Sequence, residues 1–167
     1  MPTLASSLAA LLLLVAGARV RPGLPEQATL TIVGTGDLHG HLAGLPWFSG
    51  YLRNLRAARA PGAVILLDAG DILQGTLESN LFEGAPVIDA YNALGYHALA
   101  LGNHEFDFGP VGPAPRPTQP GDDAQGALKA RAAQARFPFL AANLVRQGTR
   151  AALTWPNVRA STLLVAD

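Results

Sequence analysis

Short apolar runs alternate with amphipathic stretches along most of the chain. Residues 28–33 (ATLTIV) are rich in β-branched side chains and lead into a glycine-rich loop, which is typical of a short strand. Residues 63–67 (AVILL) form a continuous apolar run, which is typical of a strand covered on both faces. Between them, residues 46–60 carry apolar side chains at helical spacing and arginines on the other side. The apolar set is Phe48, Tyr51, Leu52 and Leu55. This part of the chain is therefore predicted to form a strand, a helix and a second strand.

The same alternation continues toward the C-terminus. Residues 86–94 predict a second helix, with a proline in its first turn and a glycine after its end. Residues 97–101 predict a third strand, residues 126–136 a third helix, and residues 137–142 a fourth strand. Strands and helices that alternate four times indicate an α/β fold, layered around a parallel sheet.

The N-terminus has the pattern of a signal peptide. An apolar stretch at residues 4–15 is followed by Ala16-Gly17-Ala18, which fits the small-x-small cleavage pattern. The stretch is shorter than the roughly twenty apolar residues of a membrane-spanning helix, although no Lys or Arg precedes it. We expect a signal peptide at residues 1–18, a spacer at 19–28 and an exported protein, periplasmic or extracellular, without stable membrane association. The alternative is a short uncleaved anchor or a buried helix.

Composition narrows the possible chemistry. The absence of cysteine excludes disulfides, thiolate nucleophiles and cysteine zinc sites. Twelve basic and twelve acidic residues balance, so the chain lacks the electrostatic footprint of a nucleic-acid-binding protein. Residues 110–121 hold five of the thirteen prolines and are predicted to be a surface insertion without regular structure.

Polar clusters follow three of the predicted strands, where ligands bind in α/β sheets. These clusters are Asp37-Leu38-His39, Asp71 and Asn103-His104. Each alone is more typical of a turn, a cap or a loop, but their joint occurrence at successive strand ends indicates a site. Oxygen and imidazole donors suit Mn, Fe, Zn or Mg better than a soft metal.

The spacing of these residues suggests a role for each. Asp37 and His39 lie two apart and can reach one ion, while the two oxygens of Asp71 can bridge two ions. Asn103 offers a neutral carbonyl oxygen to the second ion. His104 is expected to face the substrate, with Asp107 placed to orient its imidazole or favour its protonated form.

The motifs GTGDLHGH, DAGD and GNHEFDFG resemble the first three signature blocks of the calcineurin-like metallophosphoesterases. GNHEFDFG followed by FPFLAANL resembles the 5'-nucleotidase branch in particular. The resemblance implies an αββα sandwich and two divalent ions (Mn, Zn, Fe or Mg). It also implies metal ligands at Asp37, His39, Asp71 and Asn103, and a catalytic pair at His104 and Asp107. The implied reaction converts nucleoside 5'-monophosphates to nucleoside and phosphate; 2',3'-cyclic nucleotides or nucleotide sugars are alternative substrates.

The family's later blocks have no match here. All four histidines lie at or before His104. We expect these 167 residues not to include the separate C-terminal domain that grips the nucleoside in 5'-nucleotidases. We therefore interpret residues 29–167 as the N-terminal portion of a metallophosphoesterase domain. The competing hypothesis is a catalytically inactive exported fragment. Substrate specificity, metal identity and oligomeric state stay open.

Overall fold

The computed structural model of the chain describes residues 29–165. The predicted signal peptide and the whole of the predicted spacer lie outside these residues. Five parallel strands form one sheet in the order in which they occur along the chain. They are β1 (Leu30–Thr35), β2 (Ala63–Asp68), β3 (Ala98–Ala100), β4 (Phe139–Leu140) and β5 (Val158–Arg159). The predicted α/β class and parallel sheet are confirmed, and the described residues supply one sheet of the predicted sandwich.

Four α-helices connect the strands. They are α1 (Leu45–Arg59), α2 (Leu77–Asn80), α3 (Ala85–Leu94) and α4 (Gly126–Gln134). Three of them match the predicted helices to within two residues. The short α2 has no periodicity to reveal it, and it begins where the Ser79 N–H donates to the Thr76 hydroxyl over 3.4 Å. Two 3₁₀ turns, Leu42–Gly44 and His104–Phe106, complete the connections.

A continuous apolar core joins the sheet to α1, α3 and α4. Its fully buried members include Leu52, Leu66, Ile88, Tyr91, Leu128 and Phe139. The predicted apolar face of α1 needs one correction. Leu52 is fully buried, but Tyr51 is 56% exposed, because it lies beside the buried stripe and stacks on Phe48 at 6.3 Å between ring centroids.

The edge of the sheet at β1 is apolar and open. Successive residues of a strand point to opposite faces, and Leu30 and Ile32 share a face on which they are 51% and 62% exposed. The segment at residues 110–121 contains bends and turns but no helix or strand. Within residues 29–165, no helix has the length and apolar character needed to cross a bilayer.

Candidate active site

The loops that follow β1 and β2 run side by side because the backbone pairing of these strands continues beyond their ends. The Ala69 N–H donates to the Thr35 carbonyl at 2.8 Å, and the Asp37 N–H donates to the Gly70 carbonyl at 2.9 Å. The His39 N–H then donates to the Asp71 carbonyl at 3.0 Å. Asp37 and His39 are thereby held beside Asp71, although more than thirty residues separate them in sequence.

Three of these residues adopt a left-handed backbone. The φ angles of Asp37, His39 and Asp71 are 54°, 48° and 59°. Only a few per cent of non-glycine residues have positive φ, and such residues cluster at functional sites where the surrounding structure holds them. The surrounding structure therefore holds these three residues in a backbone conformation that non-glycine residues rarely adopt, and this conformation sets the direction of their side chains.

One ring nitrogen of His39 is hydrogen-bonded, which leaves the other as a candidate metal ligand. Its Nδ1 lies 3.0 Å from the carbonyl oxygen of Gln74, and because a carbonyl can only accept, Nδ1 carries the proton. Nε2 then carries the lone pair, and it lies 3.9 Å from Asp37 Oδ1. An imidazole nitrogen and a carboxylate oxygen at this distance are donors that suit a cation, and a carbonyl partner on the other ring nitrogen is a common support for a metal-binding histidine.

His104 pairs with Asp107 and lies against the Asp71 loop. Its Nδ1 is 2.6 Å from Asp107 Oδ2, and this hydrogen bond raises the pKa of His104 above its ordinary value. The His104 backbone N–H donates to Asp71 Oδ1 at 2.8 Å. The rings of His39 and His104 meet edge to face with centroids 4.9 Å apart. The structure therefore brings His39, Asp71, His104 and Asp107 into one group.

Glycine is required where the loops after β2 and β3 approach each other. A Cβ added to Gly102 would lie 2.2 Å from Asp71 Oδ1. A Cβ added to Gly70, whose φ is 102°, would lie 2.5 Å from the Gly102 nitrogen. A side chain at Gly102 would therefore displace the Asp71 carboxylate, and one at Gly70 would push the two loops apart.

Glu105 is fully buried against the Asp71 loop. Its carboxylate accepts hydrogen bonds from the backbone N–H groups of Asp71, Ile72 and Gly102. Burial raises the pKa of Glu105, and these three donors oppose that shift. No signal in the sequence distinguishes this glutamate from a capping residue, because two of its three partners, Asp71 and Ile72, come from another strand's loop.

Asp68, the first residue of DAGD, is a second buried carboxylate that sequence reasoning missed. Its Oδ1 accepts from the Gly70 N–H at 2.7 Å. Its Oδ2 accepts from the Thr35 hydroxyl at 2.5 Å and from the Tyr91 hydroxyl at 2.9 Å. Burial, followed by the charge of Asp68, raises the pKa of Tyr91. The neutral phenol therefore persists as a donor, and the network fixes the end of β1 against the end of β2.

Asn103 and the other two histidines have contacts of their own. Asn103 is exposed and precedes the 3₁₀ turn His104–Phe106, where its carbonyl accepts from the Phe106 N–H at 3.2 Å. His97 has a structural role, because its Nδ1 accepts the Leu66 N–H at 3.1 Å. His41 is exposed and lines a cavity of about 350 Å³ that Asp37 and Phe48 also line.

The donors present match the chemistry of a divalent-metal site but are arranged in pairs. Carboxylate, amide and imidazole groups suit Mn, Zn, Fe or Mg, and Asp37 and His39 place an oxygen and a nitrogen donor 3.9 Å apart. Across residues 29–165, no three His, Asp or Glu side chains converge as ligands of one ion. The residues therefore fit a divalent metal ion in donor type, with Asp37 and His39 as one pair of donors.

Known proteins are similar to most of this chain. A model of the calcineurin-like phosphoesterase family matches residues 30–150. The chain is 37% identical over 134 residues to a snake venom 5'-nucleotidase of Gloydius brevicauda, which covers 72% of this chain and 20% of that protein. It is 34% identical over 156 residues to the 5'-nucleotidase of Homo sapiens, covering 83% of this chain and 24% of that protein.

A solved structure shows the same similarity. The 5'-nucleotidase precursor from Thermus thermophilus superposes with a TM-score of 0.53 at 34% identity. The match covers 68% of this chain and 22% of that one. The chain therefore spans about a fifth to a quarter of the length of these relatives.

Proposed function

We propose, because this chain belongs to the calcineurin-like phosphoesterase family, that its site serves the metal-dependent hydrolysis of phosphate monoesters. The substrates we propose are nucleoside 5'-monophosphates, which are converted to nucleoside and phosphate. Members of this family use divalent metal ions. The observation that carries the proposal is the group of side chains at the strand ends. There Asp37, His39 and Asp71, which have a left-handed backbone conformation, lie beside the His104–Asp107 pair.

Four side chains would hold two divalent ions. Asp37 and His39 would bind the first, Asp71 would contact both, and Asn103 would bind the second. When bound, such a pair of ions lowers the pKa of the attacking water and stabilises negative charge on the phosphoryl oxygens. The proton on His39 Nδ1, held by the Gln74 carbonyl, leaves Nε2 as the ligand atom.

His104 would act on the substrate itself. Its hydrogen bond to Asp107 raises the pKa of the imidazole, which favours the protonated ring. A charged imidazole stabilises negative charge that develops on the leaving oxygen or on the phosphoryl group. Asp107 orients the ring, and the bond from the His104 N–H to Asp71 Oδ1 fixes the loop on which the ring is mounted.

The choice of substrate and compartment rests on similarity. Relatives named 5'-nucleotidase share 34–37% identity with this chain, which favours nucleoside 5'-monophosphates over cyclic nucleotides and nucleotide sugars. One relative is a venom protein and another is named a precursor. With the apolar run at residues 4–15, this supports export to the periplasm or the extracellular space.

The experiment that tests the proposal measures phosphate release with Mn²⁺ or Zn²⁺ from AMP, 2',3'-cyclic AMP and UDP-glucose. We expect metal-dependent release from AMP, reduced by about 10²–10⁴ in His104→Asn. Glu78→Gln, an exposed carboxylate on α2, is the matched control and should keep full activity. Release from the cyclic nucleotide or the sugar alone would overturn the substrate, and a folded chain that binds metal without any release would support the inactive alternative.

A further inference from the structure

The loop that carries Asp71 is held by its backbone N–H groups. The N–H groups of Asp71 and Ile72 donate to the two oxygens of Glu105 over 2.9 and 2.7 Å. The preceding N–H, that of Gly70, donates to Asp68 at 2.7 Å. Three successive amides of one loop therefore end on two buried carboxylates, and the left-handed residue Asp71 lies in the middle of them.

Glu105 also connects this loop to the one after β3. Its Oε2, which accepts the Asp71 N–H, accepts the Gly102 N–H at 2.8 Å. Glu105 follows His104, whose own N–H donates to Asp71 Oδ1 at 2.8 Å. Each loop therefore supplies a carboxylate that accepts backbone N–H groups of the other loop. Asp71 belongs to the loop after β2, and Glu105 belongs to the loop after β3.

A fully buried carboxylate is tolerated only when its oxygens are well paired. Glu105 is 0% exposed, and its partners are backbone donors rather than a cation. Hydrogen bonds from N–H groups to an ionised carboxylate are short and stronger than neutral ones. An apolar side chain could fill the same space without burying a carboxylate. The presence of Glu105 at this position therefore indicates that its three hydrogen bonds are required.

We propose that Glu105 is a positioning residue, which holds Asp71 in its left-handed conformation and fixes the distance between the Asp71 loop and the His104 loop. Its effect on metal binding rests on the proposed function, whereas its effect on the loops does not. The rival explanation is a general contribution to stability, in which the loss of Glu105 weakens all parts of the fold alike.

Amide hydrogen exchange of the metal-free 167-residue chain separates these explanations. Glu105→Gln keeps the size of the side chain but replaces one acceptor oxygen by an NH₂ group. We expect the amides of Asp71, Ile72 and Gly102 to lose at least roughly tenfold more protection than core amides such as that of Leu99. Equal loss at loop and core amides, or no loss at the loop, would overturn the proposal.

Two further variants keep the test decisive. Leu128→Ala removes a fully buried core side chain in α4, away from the site, and should lower protection at loop and core amides together. If Glu105→Gln does not fold, Glu105→Asp retains the charge but is one methylene too short, and the same three amides should respond.

Manganese affinity extends the test to the proposed function. Loss of a residue that orients a metal ligand weakens metal binding by about 10–100-fold. We expect this in Glu105→Gln and a change of less than about twofold in Leu128→Ala. If the parent chain binds no Mn²⁺ but the loop amides still lose protection in Glu105→Gln, the proposed metal site is contradicted and the positioning role is supported.

Discussion

Replacing Gly102 by alanine tests whether the site depends on close packing between two loops. The backbone of Gly102 lies outside the left-handed region, so alanine meets no conformational penalty there. The added Cβ would lie 2.2 Å from Asp71 Oδ1, 2.7 Å from its Cγ and 2.8 Å from its backbone nitrogen. The carboxylate cannot avoid all three contacts by rotation alone, because the backbone nitrogen is also too close.

The magnitude follows from two opposing effects. Overpacking of a well-packed site costs about 1–3 kcal/mol. The gain from restricting the unfolded chain when glycine becomes alanine is about 0.4–1 kcal/mol. We expect a net loss of about 1–2 kcal/mol in the free energy of unfolding. For a domain of this size the loss lowers Tm by roughly 3–8 °C.

Urea unfolding followed by circular dichroism measures the effect. Gly50→Ala is the matched control, because Gly50 lies within α1 and a Cβ there would meet nothing within 4 Å. The control should stabilise the protein by about 0.5–1 kcal/mol, since glycine is unfavourable inside a helix. If Gly102→Ala proved as stable as Gly50→Ala, the close approach of the two loops would be refuted.

Three other predictions concern single side chains. Asp107→Asn should lower the pKa of His104 toward its ordinary value, since the hydrogen bond to Asp107 is the main cause of the raised pKa; an NMR titration of the metal-free chain with an unchanged midpoint would contradict this. Tyr91→Phe removes a donor to the buried carboxylate of Asp68 and should cost about 1–3 kcal/mol in urea unfolding; a loss below about 0.5 kcal/mol would show that the bond contributes little. Ile32→Lys places a charge on the open edge strand and should reduce self-association in sedimentation velocity; unchanged association would show that this face does not mediate contacts.

Much of the fold follows from patterns that the sequence displays directly. Strand β1 is rich in β-branched residues and β2 is a nearly continuous apolar run, and parallel strands place their carboxyl ends on one side of a sheet. This geometry explains why the clusters at Asp37-Leu38-His39 and at Asp71 meet. By contrast, β5 is two residues long, too short to carry a periodicity, and the four-residue α2 depends on a cap.

The support beneath the site could not be predicted, for a physical reason. The role of Glu105 consists of hydrogen bonds to backbone groups of a loop more than thirty residues away. Backbone donors are present at every non-proline position, so residue types cannot reveal which ones a carboxylate will meet. The same holds for Gly102, whose necessity appears only when the distance to Asp71 is known.

A titration of the chain with Mn²⁺ tests the central claim, that the side chains at the strand ends form a metal site. The parent chain and Glu78→Gln, which differ only at an exposed carboxylate of α2, should bind Mn²⁺ alike in isothermal titration calorimetry. Asp71→Asn, which keeps the size of the side chain but removes its charge, should weaken binding by at least roughly tenfold. Equal affinity in the parent and Asp71→Asn, or no binding by the folded parent, would contradict the account.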